Sequence, residues 1–316
     1  MDFGLHLGTR GAAGTAEGLR ALAQRADQLG LAYLGFSDHI VFTRESSSQY
    51  PYSPDGKHPV QGHGFCLDQL TCMTFAAAVT KNIRLLASVM VVPHRPPILT
   101  AKMLASIDVL SNGRVTVGAG VGWLAEEMAV LGSPPYDTRG AASNEYIAAF
   151  RALWTEAAPA YQGAHVTFRD VVFEPKPIQK SIPIWIGGEG KAARRRAGRI
   201  GDGWYPMIRN PKDPLDTAAA FATSLADVRR EAELAGRDPM QLDVGVFAGG
   251  LVVGAPVLDR SGQRVAFTGS PAQVADDARG YKAVGAKHLV VGFESKVLSE
   301  ALDRLEAFAK EVMPLV

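Results

Sequence analysis

The sequence predicts an α/β fold of the (β/α)8 TIM-barrel class, with insertions after the second, fourth and seventh strands. Short apolar runs rich in β-branched and aromatic residues alternate with helical patterns, and eight such pairs fit in the 316 residues. Parallel strands need crossover helices of this kind. A bare barrel takes about 250 residues, so the insertions account for the excess. An open doubly wound sheet is the alternative, but residues 8–11 (GTRG) after the first strand carry no phosphate-binding fingerprint.

The predicted strands are apolar runs that end at glycine or at a polar residue, where the chain turns into the next helix. The fifth run, IPIWI, combines β-branched and aromatic side chains, which is typical of a buried strand. In chain order the strands are predicted at residues 3–8, 31–37, 83–92, 114–118, 182–186, 203–207, 242–254 and 286–292.

The predicted helices have apolar residues at helical spacing and recognisable ends. Thr15 is expected to cap the first helix and Gly30 to stop it, while Ser270 caps a later helix that has Pro271 at its first position. The helices are predicted at residues 15–29, 68–80, 98–110, a short piece around 126–127, 144–157, 191–199, 215–234, one starting at 271, and 297–312.

The insertions are the irregular parts of the pattern. The first, at about residues 41–67, is rich in Ser, Pro, Tyr, Gly and His, and loops of this length are typical of lids and binding loops. Residues 161–178 alternate and contain prolines, which indicates a small hairpin, and a further loop follows the seventh strand up to Thr268. No linker or repeat divides the chain, so residues 1–316 are predicted to form a single domain.

Composition excludes several classes of protein. Hydrophobic residues make up 47% and charged residues 21%, which favours a large core over disorder. The net charge of +1 argues against a nucleic-acid binder with a basic face. Cys66 and Cys72 match no zinc or redox spacing. The N-terminus has a strand pattern rather than that of a signal peptide, and no apolar run approaches the roughly 20 residues of a membrane span. A soluble, cytoplasmic protein is expected.

A candidate anion site lies between the fifth strand and the helix at 191–199. Gly187, Gly188 and Gly190 surround Glu189 at the point where this helix begins. The start of a helix offers free N–H groups and the positive end of the helix dipole, and glycines let an anion come close. The turn therefore predicts a phosphate site, and a tight turn without a ligand is the alternative. The GxGxxG fingerprint is absent, so an ordinary nicotinamide site is excluded.

Titratable side chains at the predicted strand ends are Asp38, His39 and Glu189. Three titratable residues are few for a hydrolytic active site. They are sufficient for a site in which a bound cofactor carries out the reaction. A histidine beside a carboxylate can donate or take a proton, and the alternative is a rim histidine that is satisfied by hydrogen bonds. Trp123 is either a core aromatic or a wall of the cofactor pocket. No HxH or HExxH pair indicates a metal site. The histidines expected in solvated loops are His58, His63 and His94.

Several segments together resemble the bacterial luciferase-like superfamily, and within it the oxidoreductases that depend on the deazaflavin coenzyme F420. The resemblance runs almost end to end and implies an insertion-bearing (β/α)8 barrel, usually a homodimer, with a flavin-type ring at the C-terminal ends of the strands. The segments that carry it are SDHI at 37–40, ASVMVVPHRPPILTAKMLASIDVLSNGR at 87–114, VGAGVGWLAEEM at 117–128, FEPKPIQ at 173–179 and IPIWIGGEGKAARRRAGRIGDGWYP at 182–206.

The resemblance also implies roles for individual residues. His39 matches the catalytic histidine next to the reactive carbon of the ring. Ser88 and Val89 match a non-prolyl cis peptide bond whose bulge backs the ring. The residues implied to bind the cofactor are Asp38, Ser88, Val89, Val91, Val121, Gly122, Glu126, Gly188, Glu189, Gly190, Ala192 and Ala193.

Two departures bear on the substrate. The sugar-phosphate dehydrogenases of the superfamily carry a glutamate where this chain has Trp123, and a tryptophan where it has Thr43. Oxidation of sugar phosphates is therefore not expected. Trp123, with Tyr50 and Tyr52 of the first insertion, is predicted to line a pocket for a small, fairly apolar organic substrate.

Three functions follow as expectations. The first is hydride transfer between coenzyme F420 and such a substrate, the second a two-component monooxygenase that uses reduced FMN and oxygen, and the third a non-catalytic flavin-binding barrel. Basic residues near the anion site would favour F420, which carries an acidic lactyl-glutamyl tail: Lys191, Arg194, Arg195, Arg44 and Lys57. A small-molecule substrate and a homodimer are expected, without nucleic acid, membrane or metal.

Overall fold

The structure is a computed structural model that describes residues 1–53, 55–58, 64–293 and 295–316. Its strands are β1 (Asp2–His6), β2 (Tyr33–Phe36), β3 (Arg84–Val91), β4 (Val115–Gly120), β5 (Tyr161–Gln162), β6 (Thr167–Phe168), β7 (Ile184–Gly187), β8 (Gly203–Tyr205), β9 (Asp243–Gly249), β10 (Val252–Val253), β11 (Thr268–Gly269) and β12 (His288–Gly292). Eight of these strands form a closed parallel barrel in the order β1-β2-β3-β4-β7-β8-β9-β12, and β12 pairs with β1. The predicted (β/α)8 class is confirmed.

Helices connect the barrel strands. They are α1 (Ala16–Gln28), α2 (Gln69–Val79), α3 (Pro97–Leu110), α4 (Ala125–Val130), α5 (Arg139–Thr155), α6 (Lys191–Ile200), α7 (Ala218–Leu234), α8 (Pro271–Ala283) and α9 (Leu298–Ala307). Thr15 caps α1 by accepting a hydrogen bond from the Gly18 N–H, and Ser270 forms a capping box with Gln273 on α8. Both predicted caps are confirmed.

The interior of the barrel is a packed core rather than a channel. One buried cluster joins side chains from five strands, with the Trp185 and Tyr33 ring centroids 5.1 Å apart. Gly203 makes room for Trp185, since a Cβ there would lie 2.6 Å from Cδ1 of the indole. Burying such a large ring stabilises the fold by about 2–3 kcal/mol. Because side chains fill the interior, a ligand site is expected outside it, at the C-terminal ends of the strands.

The insertions lie after β2, β4 and β9, which are the second, fourth and seventh barrel strands, as predicted. The second includes α4 and the predicted small hairpin, formed by the antiparallel pair β5 and β6. Within the described ranges, no helix is long and apolar enough to cross a lipid bilayer.

Two predicted boundaries are wrong. The strand predicted at 242–254 ends at Gly249, because Gly250 adopts a φ of +72° and turns the chain before β10. The helix predicted at 144–157 begins at Arg139, directly after a single helical turn that follows Pro135. The apolar periodicity begins only further along the helix, so the sequence pattern placed the start too late.

Candidate active site at the C-terminal end of the barrel

His39 follows β2 at the open end of the barrel and is held by a buried carboxylate. Its Nδ1 lies 2.7 Å from Oε2 of Glu127, which is on α4 and has no exposed side-chain surface. The other oxygen, Oε1, accepts hydrogen bonds from the N–H groups of Ile40 (2.7 Å) and Val41 (3.0 Å). Because an ionised carboxylate only accepts, Nδ1 is the donor, and Nε2 is the nitrogen left for a ligand. The side chain of His39 is 12% exposed.

Glu127 is ionised at neutral pH. Burial alone would raise its pKa, but the hydrogen bond and charge of His39, the charge of His94 and the Ile40 N–H together hold the pKa below its usual range. His94 Nε2 lies 3.9 Å from the same Oε2. The negative charge of Glu127 thus lies beside the ring of His39, where it stabilises a positive charge whenever one develops.

Asp38, the neighbour of His39, points into the protein. Its carboxylate has no exposed surface and accepts two hydrogen bonds from Arg95, both 2.8 Å long, and one from the Val91 N–H at 2.9 Å. Arg95 also binds Asp68 at 2.7 Å. Asp38 therefore connects the end of β2 to the end of β3. It holds Val91 and Arg95 in position at the barrel mouth.

The peptide bond between Ser88 and Val89 is cis, as the resemblance implies. The Val89 side chain lies across the barrel mouth against three glycines: a Cβ would come within 3.1 Å of it at Gly118, 2.8 Å at Gly120 and 2.9 Å at Gly187. Any side chain at these positions would push Val89 aside. Val89 therefore packs directly on the three glycines, and we call these four residues the Val89 platform.

Ser88 is fixed on both sides of this bond. Its Oγ and the Tyr205 hydroxyl are 3.0 Å apart, and its carbonyl oxygen is 3.2 Å from Nε2 of His6. Next to the platform, Gly122 has a φ of +87°, and a Cβ there would lie 2.8 Å from Cγ1 of Val91. The structure thus brings together Ser88, Val89 and Val91 with the turn that contains Val121 and Gly122.

The first insertion folds back over His39 with a group of aromatic rings. Trp123 lies 6.0 Å from His39, 5.2 Å from Tyr50 and 5.9 Å from His58, measured between ring centroids. Tyr52 continues the group at 5.5 Å from Tyr50. The three residues predicted for the substrate pocket therefore lie in one cluster with His39, together with Phe42 at 4.5 Å from His39. We call these rings the aromatic cluster.

Two histidines of this region correct the sequence analysis. His58 and His94 were expected to be solvated, but both are buried. Burial, helped by the charges of His39 and Arg10, lowers the pKa of His58 to about 3, and burial also lowers the pKa of His94. The ring of His58 is therefore neutral at physiological pH. The first insertion folds back and packs Phe42 and Tyr50 against His58, and His94 lies 3.9 Å from the buried Glu127; loop composition reveals neither contact. His63 lies outside the described residues.

Glu126 is bound to the first insertion. Its carboxylate accepts hydrogen bonds from the N–H groups of Ser47 (2.7 Å) and Ser48 (3.2 Å) and from the Ser46 hydroxyl (3.1 Å). Burial alone would raise its pKa, but the Ser48 side chain, the N–H of Glu126 itself and the N–H and hydroxyl of Ser47 lower the pKa to about 2. In the structure Glu126 fastens the insertion, and its implied contact with a ring stays a prediction.

The predicted anion site lies where α6 begins. Gly190 is the N-cap residue, and no side chain in the described part of the chain caps the helix. Its carbonyl accepts from the N–H groups of Ala193 (2.9 Å) and Arg194 (3.0 Å), so the amides of Lys191 and Ala192 precede the first helical bonds. Gly188, with a φ of +103°, lets the chain turn there. The arrangement leaves N–H donors available to an anion.

Glu189 points away from these donors. It is buried and accepts from the Met207 N–H and the Asn210 amide, both at 2.7 Å, and from the Tyr52 hydroxyl at 3.4 Å. Burial raises the pKa of Glu189, and the hydrogen bonds from Asn210 and Met207 oppose that rise. The contact with Tyr52 also joins the first insertion to this turn.

No group of three or more His, Cys, Asp and Glu side chains among the described residues could hold a metal ion. Cys66 and Cys72 are free thiols, and burial raises the pKa of each. The groups that the structure brings to the barrel mouth are His39, Glu127, the Val89 platform and the first amides of α6.

Comparison with known proteins identifies the family. The family described as luciferase-like monooxygenase matches residues 1–256, and the chain belongs to this family. An uncharacterised protein of Mycobacterium tuberculosis is 30% identical over 296 residues, which cover 93% of this chain and 94% of that protein. An FMNH2-dependent dimethylsulfone monooxygenase of Pseudomonas putida is 26% identical over 339 residues, which cover 94% of this chain and 87% of that protein.

Solved structures share the fold at lower identity. The monooxygenase RslO1 of Streptomyces bottropensis has a TM-score of 0.78 and 21% identity, with 99% of each chain covered. An F420-dependent secondary alcohol dehydrogenase, in complex with an F420–acetone adduct, has a TM-score of 0.77 and 18% identity, with 100% of this chain and 98% of that chain covered. At this identity the two structures show the shared fold, and the family match makes the chain a luciferase-like oxidoreductase or monooxygenase.

Sequence reasoning missed Glu127, Arg95, Phe42 and His58. Glu126 and Glu127 are adjacent on a helix of six residues, and only the packing of α4 decides which carboxylate faces inwards. A search for carboxylates that lie two barrel strands after a strand-end histidine would have included Glu127 as a candidate.

Proposed function

We propose that this protein transfers a hydride between the deazaflavin coenzyme F420 and a small, fairly apolar organic substrate. The observation that carries the proposal is the pair of His39 and Glu127, which holds a partly exposed imidazole at the barrel mouth in a single tautomer. Reduction of a carbonyl or an activated double bond needs a proton as well as a hydride. The pair is suited to deliver that proton.

The residues present fit such a cofactor. The uncapped amides of Lys191 and Ala192 suit its phosphate, since they are the donors that a helix start offers to an anion. The Val89 platform suits a flat ring, because glycines leave it free of side chains other than Val89. When bound, the deazaflavin supplies or accepts the two-electron hydride equivalent and activates oxygen poorly.

The chain's own residues would do the rest. In reduction, His39 as the imidazolium donates the proton on Nε2 to the substrate oxygen or carbon and is left as the neutral Nδ1–H tautomer, and in oxidation the free Nε2 of that neutral tautomer takes the proton. Glu127 keeps Nδ1 protonated and the ring oriented, and it stabilises the positive charge. The aromatic cluster binds the apolar part of the substrate and excludes water from the proton transfer.

The test is a titration of the purified protein with F420 and with FMN, followed by the fluorescence of each ring. The proposal expects micromolar or tighter binding of F420 and weaker binding of FMN. Tight binding of FMN alone would overturn the choice of cofactor.

A second candidate is a two-component monooxygenase that uses reduced FMN and oxygen. The relative from Pseudomonas putida favours it, since the similarity covers 94% of this chain and that protein is an FMNH2-dependent monooxygenase. The same titration separates the two candidates. The homodimer stays a prediction, which sedimentation of the purified protein would check.

A further inference from the structure

Two side chains near the start of α5 bind the turn that carries Trp123. Arg139 is the first residue of α5, and Tyr136 lies three residues before it, in the preceding single helical turn. Nε of Arg139 donates a hydrogen bond to the Gly122 carbonyl at 3.1 Å. The Tyr136 hydroxyl donates one to the Trp123 carbonyl, also at 3.1 Å. Two consecutive carbonyl groups of this turn are therefore bound by side chains of one neighbouring segment.

Arg139 and Tyr136 form one unit. The guanidinium carbon of Arg139 lies 3.7 Å from the centroid of the Tyr136 ring, and Nη1 donates to the Tyr136 carbonyl at 2.8 Å. A planar guanidinium suits both contacts, because it stacks on an aromatic face while its N–H groups donate to carbonyl oxygens. Both residues are half-buried. We call the pair the Arg139–Tyr136 clamp.

The stability of α5 does not explain an arginine at its first position. The N-terminal end of a helix carries a partial positive charge, which disfavours a cation there. The first turn of α5 contains no acidic residue that would offset the charge of Arg139. In the described part of the chain, the hydrogen bonds of its guanidinium go to the Gly122 and Tyr136 carbonyls. These contacts with the turn are what account for an arginine at this position.

The clamp has a fixed base. Arg196 of α6 donates to the Gly140 carbonyl at 3.1 Å and to the side-chain oxygen of Asn144 at 2.5 Å, which holds the start of α5 against α6. On the other side of the turn, Gly122 packs against Val91, because a Cβ there would lie 2.8 Å from Cγ1 of that valine. The turn that carries Trp123 is thus held between the start of α5 and the end of β3.

The two bound carbonyls flank the Cα atom of Trp123. The Gly122 carbonyl belongs to the peptide group before that atom, and the Trp123 carbonyl belongs to the peptide group after it. Binding both carbonyls therefore fixes the two backbone dihedrals of Trp123 and the direction of its side chain. The indole lies 6.0 Å from the ring of His39 and 5.2 Å from that of Tyr50, measured between centroids, so a rotation of either peptide group would move it within the aromatic cluster.

We propose that Arg139 and Tyr136 are positioning residues that fix the indole of Trp123 beside His39 and thereby set the size of substrate that the aromatic cluster accepts. The role in substrate size rests on the proposed function. The position of Trp123 does not, and it can be measured without cofactor or substrate. Loss of either carbonyl contact frees one peptide group of the turn and lets the indole move.

Quenching of tryptophan fluorescence by acrylamide tests the position of Trp123. Of the four tryptophans, Trp154, Trp185 and Trp204 are at most 1% exposed. The quencher therefore reaches mainly Trp123, which is half-buried. Tyr136→Phe keeps the ring and removes the hydroxyl, and it should raise the quenching constant at least about twofold, since one lost hydrogen bond shifts a conformational equilibrium by about 2- to 10-fold. In a Trp123→Phe background the same change should have no effect.

Arg139→Lys separates the hydrogen bonds of the clamp from its charge. Lysine keeps the charge but lacks the planar fork, so this variant should also raise the quenching constant. The matched controls are Arg151→Lys, which changes an arginine that binds the Ile200 carbonyl from the same helix, and Tyr161→Phe on the small hairpin. Both should quench like the parent. Parent-like quenching in Arg139→Lys and Tyr136→Phe, or an equal rise in the controls, would overturn the proposal.

Kinetics with reduced F420 and a size series of acetone, cyclohex-2-enone and acetophenone test the role in substrate size. Tyr136→Phe should raise KM for acetophenone about 2- to 10-fold and leave kcat for acetone within about twofold, because the proton donor His39 is unchanged. A loss of kcat with all three substrates and no change in their KM values would overturn this role. If the parent turns over none of them, the proposed function fails for these substrates, while the quenching measurement still decides whether the clamp positions Trp123.

Discussion

The imidazole Nδ1 of His39 lies 2.7 Å from Oε2 of Glu127, and this contact joins the end of β2 to α4 across the barrel mouth. The same carboxylate accepts the N–H groups of Ile40 and Val41, where the first insertion begins. One buried side chain therefore sets the direction of the proposed proton donor and the path of the segment that covers it.

Replacement of His39 by alanine should reduce turnover about 10²- to 10⁴-fold, because the proton donor is lost. The affinity for the cofactor should change little, since no anchoring role is assigned to this ring. The measurements are kcat with reduced cofactor and Kd from ring fluorescence. His165→Ala, on the small hairpin segment, is the control and should behave like the parent. Retained turnover in His39→Ala would remove the assigned role.

Replacement of Glu127 by glutamine should lower kcat about 10- to 100-fold, because a neutral amide neither fixes the Nδ1–H tautomer nor stabilises the positive ring. The pH dependence of kcat should shift as well, which a merely structural role would not produce. Glu126→Gln is the contrasting variant, and it should change KM more than kcat because Glu126 holds the insertion. Identical pH profiles for Glu127→Gln and the parent would contradict the orienting role.

The ionisation of Glu127 should make the free energy of unfolding depend on pH. The folded-state pKa of Glu127 is lowered, so its contribution is present above the pKa of the unfolded chain and is lost as the pH falls through the lower folded value. Glu127→Gln should therefore be less stable than the parent by about 1–3 kcal/mol at pH 7, and the difference should shrink below about pH 4. Urea unfolding at a series of pH values measures it. If the difference in the free energy of unfolding between the parent and Glu127→Gln grew as the pH fell, the prediction would be wrong.

Replacement of Gly120 by alanine should displace Val89, because the new Cβ would lie 2.8 Å from its Cγ2. Overpacking of this kind costs about 1–3 kcal/mol, and affinity for the cofactor ring should fall at least about tenfold. In Gly280→Ala, a Cβ meets Ala218 at an ordinary 3.6 Å inside α8, so this control should bind normally and be slightly more stable. The double variant Gly120→Ala/Val89→Ala should recover affinity. Normal ring binding by Gly120→Ala alone would show that the platform does not support the ring.

Replacement of Trp123 by glutamate should change substrate range and raise KM for apolar substrates, because it places a charge within the aromatic cluster. Kinetics with a panel of ketones and enones of increasing size check this. An unchanged range and affinity would show that Trp123 does not line the substrate pocket.

The barrel was predictable because its signals are local and repeated. Glycine and polar residues end each apolar run, and Thr15 and Ser270 cap their helices as their side chains require. The strand end that carries His39 and the start of α6 follow from that order of elements. The amino-acid sequence alone therefore predicts where the proposed proton donor and the candidate anion site lie in the barrel.

The rest of the site depends on contacts between distant segments. Glu127 lies 88 positions from His39, and its neighbour Glu126 has the same chemistry, so no local pattern distinguishes them. His58 and His94 are buried only because the first insertion and the end of β3 pack over them.

The central claim is tested most directly by turnover of the reduced cofactor without oxygen. Purified protein, reduced F420 and a panel of small ketones and enones are mixed anaerobically, and the return of oxidised F420 absorbance is followed. We expect turnover that needs substrate, proceeds without oxygen and is lost in His39→Ala. Turnover only with reduced FMN and only in the presence of oxygen would contradict hydride transfer and make the protein a monooxygenase.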